Sequence, residues 1–489
     1  MQDIEFIALM DRIRTLGCES NVIEIKEARG GCPQRLYDTY SSFSNQNEGG
    51  TIIFGLKEES GYSPVGVYDA SDLMKRLMDI GEEMSPVVRP LINVFEYEGK
   101  IIVTAVIPPM DVHERPCFWK AKGRLRGSFV RVGDGDKPMT EYEVYNYEVY
   151  RRHLRDELRT IDSVIPVLID EKKFKNLLER YTEGKPNLAS LPEDSLYQLS
   201  GLRSEGKPTL LSLLMCGLYP QSIYPQLSII ASRVPGKTMG CMDSNGKTFF
   251  LDSKRIEGTL DEMIEGAMSF VGRNMKNRID SDKSTGMRVD LLEYPLNAIR
   301  EAVINAVVHR DYSVYSEGRP IQLIMFDDRM EIHNPGGIYG GASVEALGYV
   351  QPESRNRNLI TLMELLGFTE NRYSGIPKMK ELMRNHGCLE PVFESRNGEF
   401  IVTFYNDSNS ASSIDEARNK PYPENVLLYC MEPRSRKDIS EFLEISSTQY
   451  AMKRYIEPLV ESGAILLKEP DVPRSRNQEY FTNKENTVY

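Results

Sequence analysis

The stretch Arg300-Glu301-Ala302-Val303-Ile304-Asn305-Ala306-Val307-Val308-His309-Arg310-Asp311-Tyr312 lies past the middle of a 489-residue chain. Glu301, Asn305 and His309 recur at every fourth residue, so on an α-helix they project from one face, while Val303, Ile304, Val307 and Val308 supply the apolar remainder. A carboxylate, an amide and an imidazole stacked one turn apart can polarise water, complete a magnesium shell and touch a phosphate. An ordinary amphipathic helix with a solvated polar face has the same spacing. The choice between these readings rests on the segments that follow.

Residues 320–332 form two short apolar runs broken at Phe326-Asp327-Asp328-Arg329, the pattern of a β-hairpin, and the second run empties into His333-Asn334-Pro335-Gly336-Gly337. A glycine pair after a strand lets backbone approach a ligand closely. Next come Ser354-Arg355-Asn356-Arg357-Asn358, a helix-like apolar run over 359–366, and Asn371-Arg372-Tyr373-Ser374-Gly375-Ile376-Pro377. The ordered set E-x-x-x-N-A-x-x-H-R-D-Y, F-D-D-R-x-E-I-x-N-P-G-G, S-R-N and S-G-I-P resembles the RecG-related C-terminal, or Schlafen-associated, ATP-binding domain. That family is a divergent branch of the Bergerat-type α/β sandwich shared by gyrase, heat-shock chaperones and histidine kinases.

The resemblance covers residues 255–405 and implies ATP and magnesium as cofactors. It implies that Glu301 orients or deprotonates the attacking water in a weak ATP hydrolysis, that Asn305 binds the magnesium, and that His309 and Arg310 lie near the phosphates. Asn334, with the Gly336-Gly337 turn, stands where the wider superfamily has an aspartate that accepts a hydrogen bond from the adenine amine; an asparagine accepts it without charge. Ser374-Gly375-Ile376 resembles the second glycine box, whose backbone amides close over the phosphates as a lid. A motor helicase needs a P-loop, and none is found. Gly236-Lys237-Thr238 and Gly246-Lys247-Thr248 end like a Walker motif, but the required upstream glycine falls on Ala231 and Cys241, so both read as turns between strands.

The chain length suggests about three domains. Forty per cent hydrophobic and 27 per cent charged residues describe a soluble globular protein. No apolar run is long enough for a membrane span and the amino terminus has no secretory pattern, so a cytoplasmic protein without a membrane partner is expected. The seven cysteines are scattered without a C-x-x-C pair, which suggests neither zinc site nor disulfide framework. A net charge of −12 argues against indiscriminate coating of nucleic acid. The expected division is 1–135 as a first domain, 136–254 as a connector helix and bridging region, 255–407 as the ATP-binding domain, 408–421 as a linker rich in Ser, Asn and Asp, and 422–489 as a terminal module. The fold class is α+β multidomain.

In the first domain, Glu19-Ser20-Asn21-Val22-Ile23-Glu24-Ile25-Lys26-Glu27, the helix-like 36–46 with Ser42-Phe43-Ser44-Asn45, Gly49-Gly50-Thr51-Ile52-Ile53-Phe54-Gly55-Leu56 and Gly127-Ser128-Phe129-Val130-Arg131-Val132-Gly133 resemble the Schlafen AlbA-type nucleic-acid-binding domain. Relatives of that type that cut transfer RNA use three carboxylates. Two map onto Glu19 and Glu24, and the third position holds Lys57, leaving Glu58 or Glu59 as substitutes. Glu24 and Lys26 pairing on a strand face is the structural alternative. Lys120, Lys122, Arg124, Arg126 and Arg131 form a basic strip for phosphate contacts, beside which Phe118 and Trp119 either stack a base or serve as core aromatics.

The terminal module reads as a winged helix-turn-helix, with helices over 425–431, 436–443 and 447–462 and a hairpin of 464–467 with 478–481 around the wing Pro473-Arg474-Ser475-Arg476. If it reads DNA, Thr448, Gln449, Lys453 and Arg454 face the major groove, and Arg474 and Arg476 the backbone. The module's many acids fit a protein-binding winged helix instead. Two functions compete: a regulator of transcription or of antiviral defence, expected as a homo-oligomer, in which ATP gates engagement of DNA or RNA; and an enzyme, either a metal-dependent RNA nuclease or an ATPase. The incomplete carboxylate triad favours the regulator.

Overall fold

The computed structural model describes residues 3–16, 20–133, 135–161, 168–242, 249–281, 288–341, 343–349, 353–369, 374–406, 422–431, 433–443, 445, 448–470, 475 and 478–483. Two compact units divide the chain, Met1–Leu154 and Arg155–Tyr489.

The first unit is built on a four-stranded sheet of β1 (Ile23–Lys26), β2 (Gly50–Phe54), β3 (Leu91–Tyr97) and β4 (Lys100–Ile107) in the order β1-β2-β4-β3, with β1 parallel to β2 and the other pairs antiparallel. Alternation along β2 sends Ile52 and Phe54 to one face and Ile53 to the other. On the Ile53 side packs α1 (Asp3–Leu16) through Phe6, Met10 and Ile13, which share a helical stripe. On the opposite side pack α2 (Leu36–Asn45) through Leu36, Tyr40 and Phe43, and α3 (Ala70–Glu82) through Leu73 and Leu77. Asn45 ends α2 as a strut: its Nδ2 donates to the carbonyls of Cys117 (2.9 Å) and Phe129 (3.1 Å), and its Oδ1 accepts from the Cys117 amide at 2.6 Å. The short helix α4 (Gly123–Gly127) leads to the hairpin of β5 (Phe129–Val132) and β6 (Gly135–Pro138). A capping box between Thr140 and Glu143 starts α5 (Glu141–Arg152), and His153, in left-handed backbone, ends it. The expected connector helix α5 packs on this unit, where Glu148 pairs with Arg124 and the Tyr150 ring stacks on His113 at 4.8 Å.

The second unit holds a six-stranded sheet of β7 (Ile229–Arg233), β8 (Asp252–Ile256), β9 (Ile321–Met325), β10 (Arg329–Pro335), β11 (Val392–Arg396) and β12 (Glu399–Tyr405), in the order β8-β7-β9-β10-β12-β11. Only β7 and β9 pair in parallel. Two of these strands therefore begin before residue 255, so the sheet draws on the stretch expected to be a bridging region. Four helices that share one apolar core with this sheet are α6 (Leu260–Asn274), α7 (Leu296–His309), α8 (Arg357–Leu365) and α9 (Gly375–Asn385). The sheet contributes Ala231, Leu323, Met330, Ile332 and Phe404 to that core, one face of each strand. The β9–β10 hairpin turns where its sequence indicates, with the Phe326 amide donating to the Arg329 carbonyl at 2.7 Å. Of the two Walker-like tripeptides, residues 246–248 lie outside the described residues. The other opens with Gly236, whose amide donates to Asp327 Oδ2 at 2.8 Å, a structural turn.

Past the expected linker, which lies outside the described residues, come helices Glu424–Tyr429 and Arg436–Phe442 and a three-stranded sheet of Arg434–Ser435, Glu479–Thr482 and Ile465–Leu467, in that order. The expected third helix is interrupted: Thr448–Ala451 passes into a π-helical turn, Met452–Ile456, before Glu457–Glu461. Pro458 has no amide hydrogen to donate to the carbonyl four residues back, which is where the regular ladder breaks. No helix among the described residues is long and apolar enough to cross a membrane.

Candidate functional site

Helix α7 buries Ile299, Val303, Ile304, Val307 and Val308 and so turns its Glu301, Asn305 and His309 face toward a cavity of about 740 Å³. The first two are half-buried, and Asn305 Nδ2 donates to Glu301 Oε1 at 3.3 Å. Opposite lies the sheet, where Ile332 and Asn334 of β10 sit beside Phe400 and Val402 of β12. The Gly336-Gly337 turn, the loop carrying Arg355, and Gly375 and Ile376 at the start of α9 complete the wall.

Three contacts fix this geometry. Gly336, at φ +105°, lies against Asp311, and a Cβ there would come within 2.7 Å of the Asp311 Cβ, so the strand end and the segment after α7 meet only through glycine. Gly375 lies against the Glu301 carboxylate, which would have to move aside for a Cβ there. Asn356 Nδ2 donates to the carbonyls of Val308 (2.9 Å) and Arg310 (2.7 Å), tying the Ser354-Arg355-Asn356 loop to the end of α7.

His309 is exposed to solvent on the cavity side, while the protein crowding its other sides, together with the Arg355 cation, pulls its pKa down to about 4. Both effects favour the neutral imidazole, a hydrogen-bonding group. Arg310 departs from expectation. The helix ends at His309, Arg310 takes extended backbone (φ −53°, ψ 144°), and its buried guanidinium donates to the carbonyls of Ser316 (3.0 Å) and Arg319 (2.5 Å), away from the cavity. The cations in the cavity wall are Arg355, whose Nη1 lies 3.0 Å from the buried Asp311 Oδ1, and Arg357. Arg355 belongs to the S-R-N motif, whereas the resemblance implied Arg310. Ser374 precedes α9 without capping it and is not part of the wall, and residues 370–373 lie outside the described residues.

Asn334 is 4 % exposed, and its Oδ1 has no hydrogen-bond donor among the described residues. A buried amide oxygen left unmatched costs free energy, which turning the Asn334 amide toward a ligand in the cavity would recover. Together with an apolar sheet floor and a carboxylate–amide pair, the lining fits a nucleotide with magnesium. Asn334 would meet the base, Asn305 and Glu301 the metal side, and Arg355 and the first amides of α9 the phosphates.

Of the carboxylates expected to act together in the first unit, Glu24 and Glu58 are among the described residues. Glu24 is buried and pairs with Lys26 and, at 2.7 Å, with Arg131; Glu58 is exposed on the turn Glu58–Ser60; Glu19 lies outside the described residues. Among the described residues no group of three or more His, Cys, Asp and Glu side chains could hold a metal. Arg131 therefore leaves the basic strip: strand alternation turns it inward, where it also pairs with Asp136 at 3.1 Å. Arg124 is neutralised by Glu148 and covers the Phe118 ring. Lys120, Lys122 and Arg126 remain exposed, and Trp119 stacks on Tyr37 at 4.2 Å. In the terminal segment Lys453 and Arg454 are exposed on the π-helical turn, whereas the Gln449 side chain, Arg474 and Arg476 lie outside the described residues.

Two family models match. Residues 19–140 match the family described as "Schlafen, AlbA_2", and residues 318–404 that described as "Putative ATP-dependent DNA helicase recG C-terminal". The chain carries both kinds of domain. No curated protein matches it. Among solved structures it is similar to the DIP2311 protein from Corynebacterium diphtheriae, at 17% identity and a TM-score of 0.39, with 98% of this chain and 96% of that one covered. It is also similar to the N-terminal domain of a RecG-related protein from Nitrosomonas europaea, at 24% identity and a TM-score of 0.23, with 27% of this chain and 92% of that one covered.

Proposed function

We propose that the AlbA_2 and ATPase-type domains make this chain a nucleotide-gated regulator, in which magnesium-ATP in the α7 cavity changes how the chain engages DNA or RNA. The observation that carries the reading is the buried Asn334, whose Oδ1 has no donor among the described residues, in the wall of a cavity that also presents Glu301 and Asn305. Asn305 would hold the magnesium, Glu301 would orient a water, and the amides that open α9 would meet the phosphates. When bound, ATP supplies a triphosphate whose charge differs between substrate and product states, which is what a switch needs.

Lys120, Lys122 and Arg126 give the first domain a phosphate-contacting strip, and the terminal module acts as a winged helix with Lys453 and Arg454 toward nucleic acid. The protein works in the cytoplasm as a homo-oligomer, in transcription regulation or antiviral defence. An RNA nuclease is disfavoured because Glu24 is committed to Arg131 and Lys26. Calorimetry with magnesium-ATP tests the site directly. Saturable binding by the full chain is expected, and its absence would refute the nucleotide reading.

A further inference from the structure

We propose that the cavity accepts guanine as well as adenine nucleotides, because the side chain facing the base is the primary amide of Asn334. The inference rests on the nucleotide-binding reading above.

The floor beside Asn334 suits any purine. Asn334 is paired across the sheet with Phe400, and Ile332 with Val402, so the amide sits at the edge of a flat apolar surface of strand side chains. Selection between purines then falls to hydrogen bonding. Adenine presents an amino donor at position 6 and guanine a carbonyl acceptor. A carboxylate offers acceptors only. A primary amide carries an acceptor and two donors, and a half-turn about its Cβ–Cγ bond exchanges them. Asn334 Oδ1 has no donor among the described residues, so nothing on that side locks the amide in one orientation. With Oδ1 turned forward it accepts from the adenine amine. With Nδ2 forward it donates to the guanine carbonyl. Both purines are matched in one pose.

The test is competition of ATP, GTP and inosine triphosphate against a fluorescent ATP analogue on the full chain with magnesium. Inosine carries the guanine carbonyl without the 2-amino group, which separates hydrogen bonding from bulk. Expected are affinities within about tenfold of one another, the discrimination a single hydrogen bond supplies. Asn334→Asp, offering acceptors only, should keep ATP and weaken GTP and inosine triphosphate by about tenfold or more. ATP binding with no competition from either 6-carbonyl nucleotide would overturn the inference and leave the nucleotide reading standing. Competition by inosine triphosphate alone would overturn it for guanine. An unchanged ratio in folded Asn334→Asp would overturn the role of Asn334, and binding of no nucleotide at all would overturn both proposals.

Discussion

Arg355 Nη1 and Asp311 Oδ1 lie 3.0 Å apart, with the two side chains only 4% and 0% exposed. Asp311 belongs to the H-R-D-Y segment after α7 and Arg355 to the S-R-N loop, so this ion pair joins two motifs 44 residues apart in sequence (355 − 311). The Asp311 amide also donates to the Pro335 carbonyl at 2.9 Å, which brings the glycine turn into the same knot. Removing one partner strands a buried charge. Arg355→Ala is therefore expected to destabilise the second unit by about 3–5 kcal/mol, and Arg355→Met with Asp311→Leu by clearly less. Denaturant unfolding followed by fluorescence checks both; equal losses would show that the pair is not what holds the loop.

Glu157 supplies a pH prediction. Its side chain is buried, and burial pushes its carboxyl up to about 7 from the ordinary value of 4.5. Between those values the folded state holds a proton that the unfolded state has released, so stability falls as pH rises through the window. Glu157→Gln removes the ionisation. It should stabilise the protein at pH 8 by up to about 3 kcal/mol and change little at pH 4. Unfolding midpoints of the two proteins across that range decide it, and parallel curves would contradict it.

Within the cavity, Asn305→Ala should abolish magnesium-dependent nucleotide binding, whereas Glu301→Ala should keep binding and lose most hydrolysis. Calorimetry and a phosphate-release assay separate the two. Unchanged ATP affinity in Asn305→Ala would move the metal elsewhere.

For the first domain, replacing Lys120, Lys122 and Arg126 by Ala should weaken nucleic-acid binding similarly across sequences and lower the salt slope by about one for each phosphate that no longer meets a cation. Arg131→Ala should act through the fold instead, because it leaves Glu24 and Asp136 without their buried cation. A salt titration of both variants, alongside their unfolding curves, tells the roles apart.

What could be read from sequence was what depends on local period. The four-residue spacing of Glu301, Asn305 and His309 is a helical property, and the structure puts all three in one cavity. The β9–β10 hairpin and its glycine turn were legible for the same reason. Arg310 and Arg131 were misplaced because a charge in a motif does not say which way it points. The end of α7 turned the first inward, and strand alternation the second. Arg355 and Asp311 could not be matched from sequence, since what pairs them is a long-range approach that Gly336 permits. The break at Pro458 was visible in principle, but the helical pattern around it outweighed the proline.

The central claim is coupling between nucleotide and nucleic acid. Ligand linkage requires that if ATP changes nucleic-acid affinity by some factor, nucleic acid changes ATP affinity by the same factor. The direct measurement is a titration of labelled DNA and RNA into the full chain with and without a non-hydrolysable ATP analogue at fixed salt, with the oligomer's size followed in parallel. Nucleotide gating predicts an affinity shift of about fivefold or more for at least one nucleic acid, mirrored in analogue affinity. Identical affinities and an unchanged oligomer in both conditions would contradict it and leave the domains as independent binding modules.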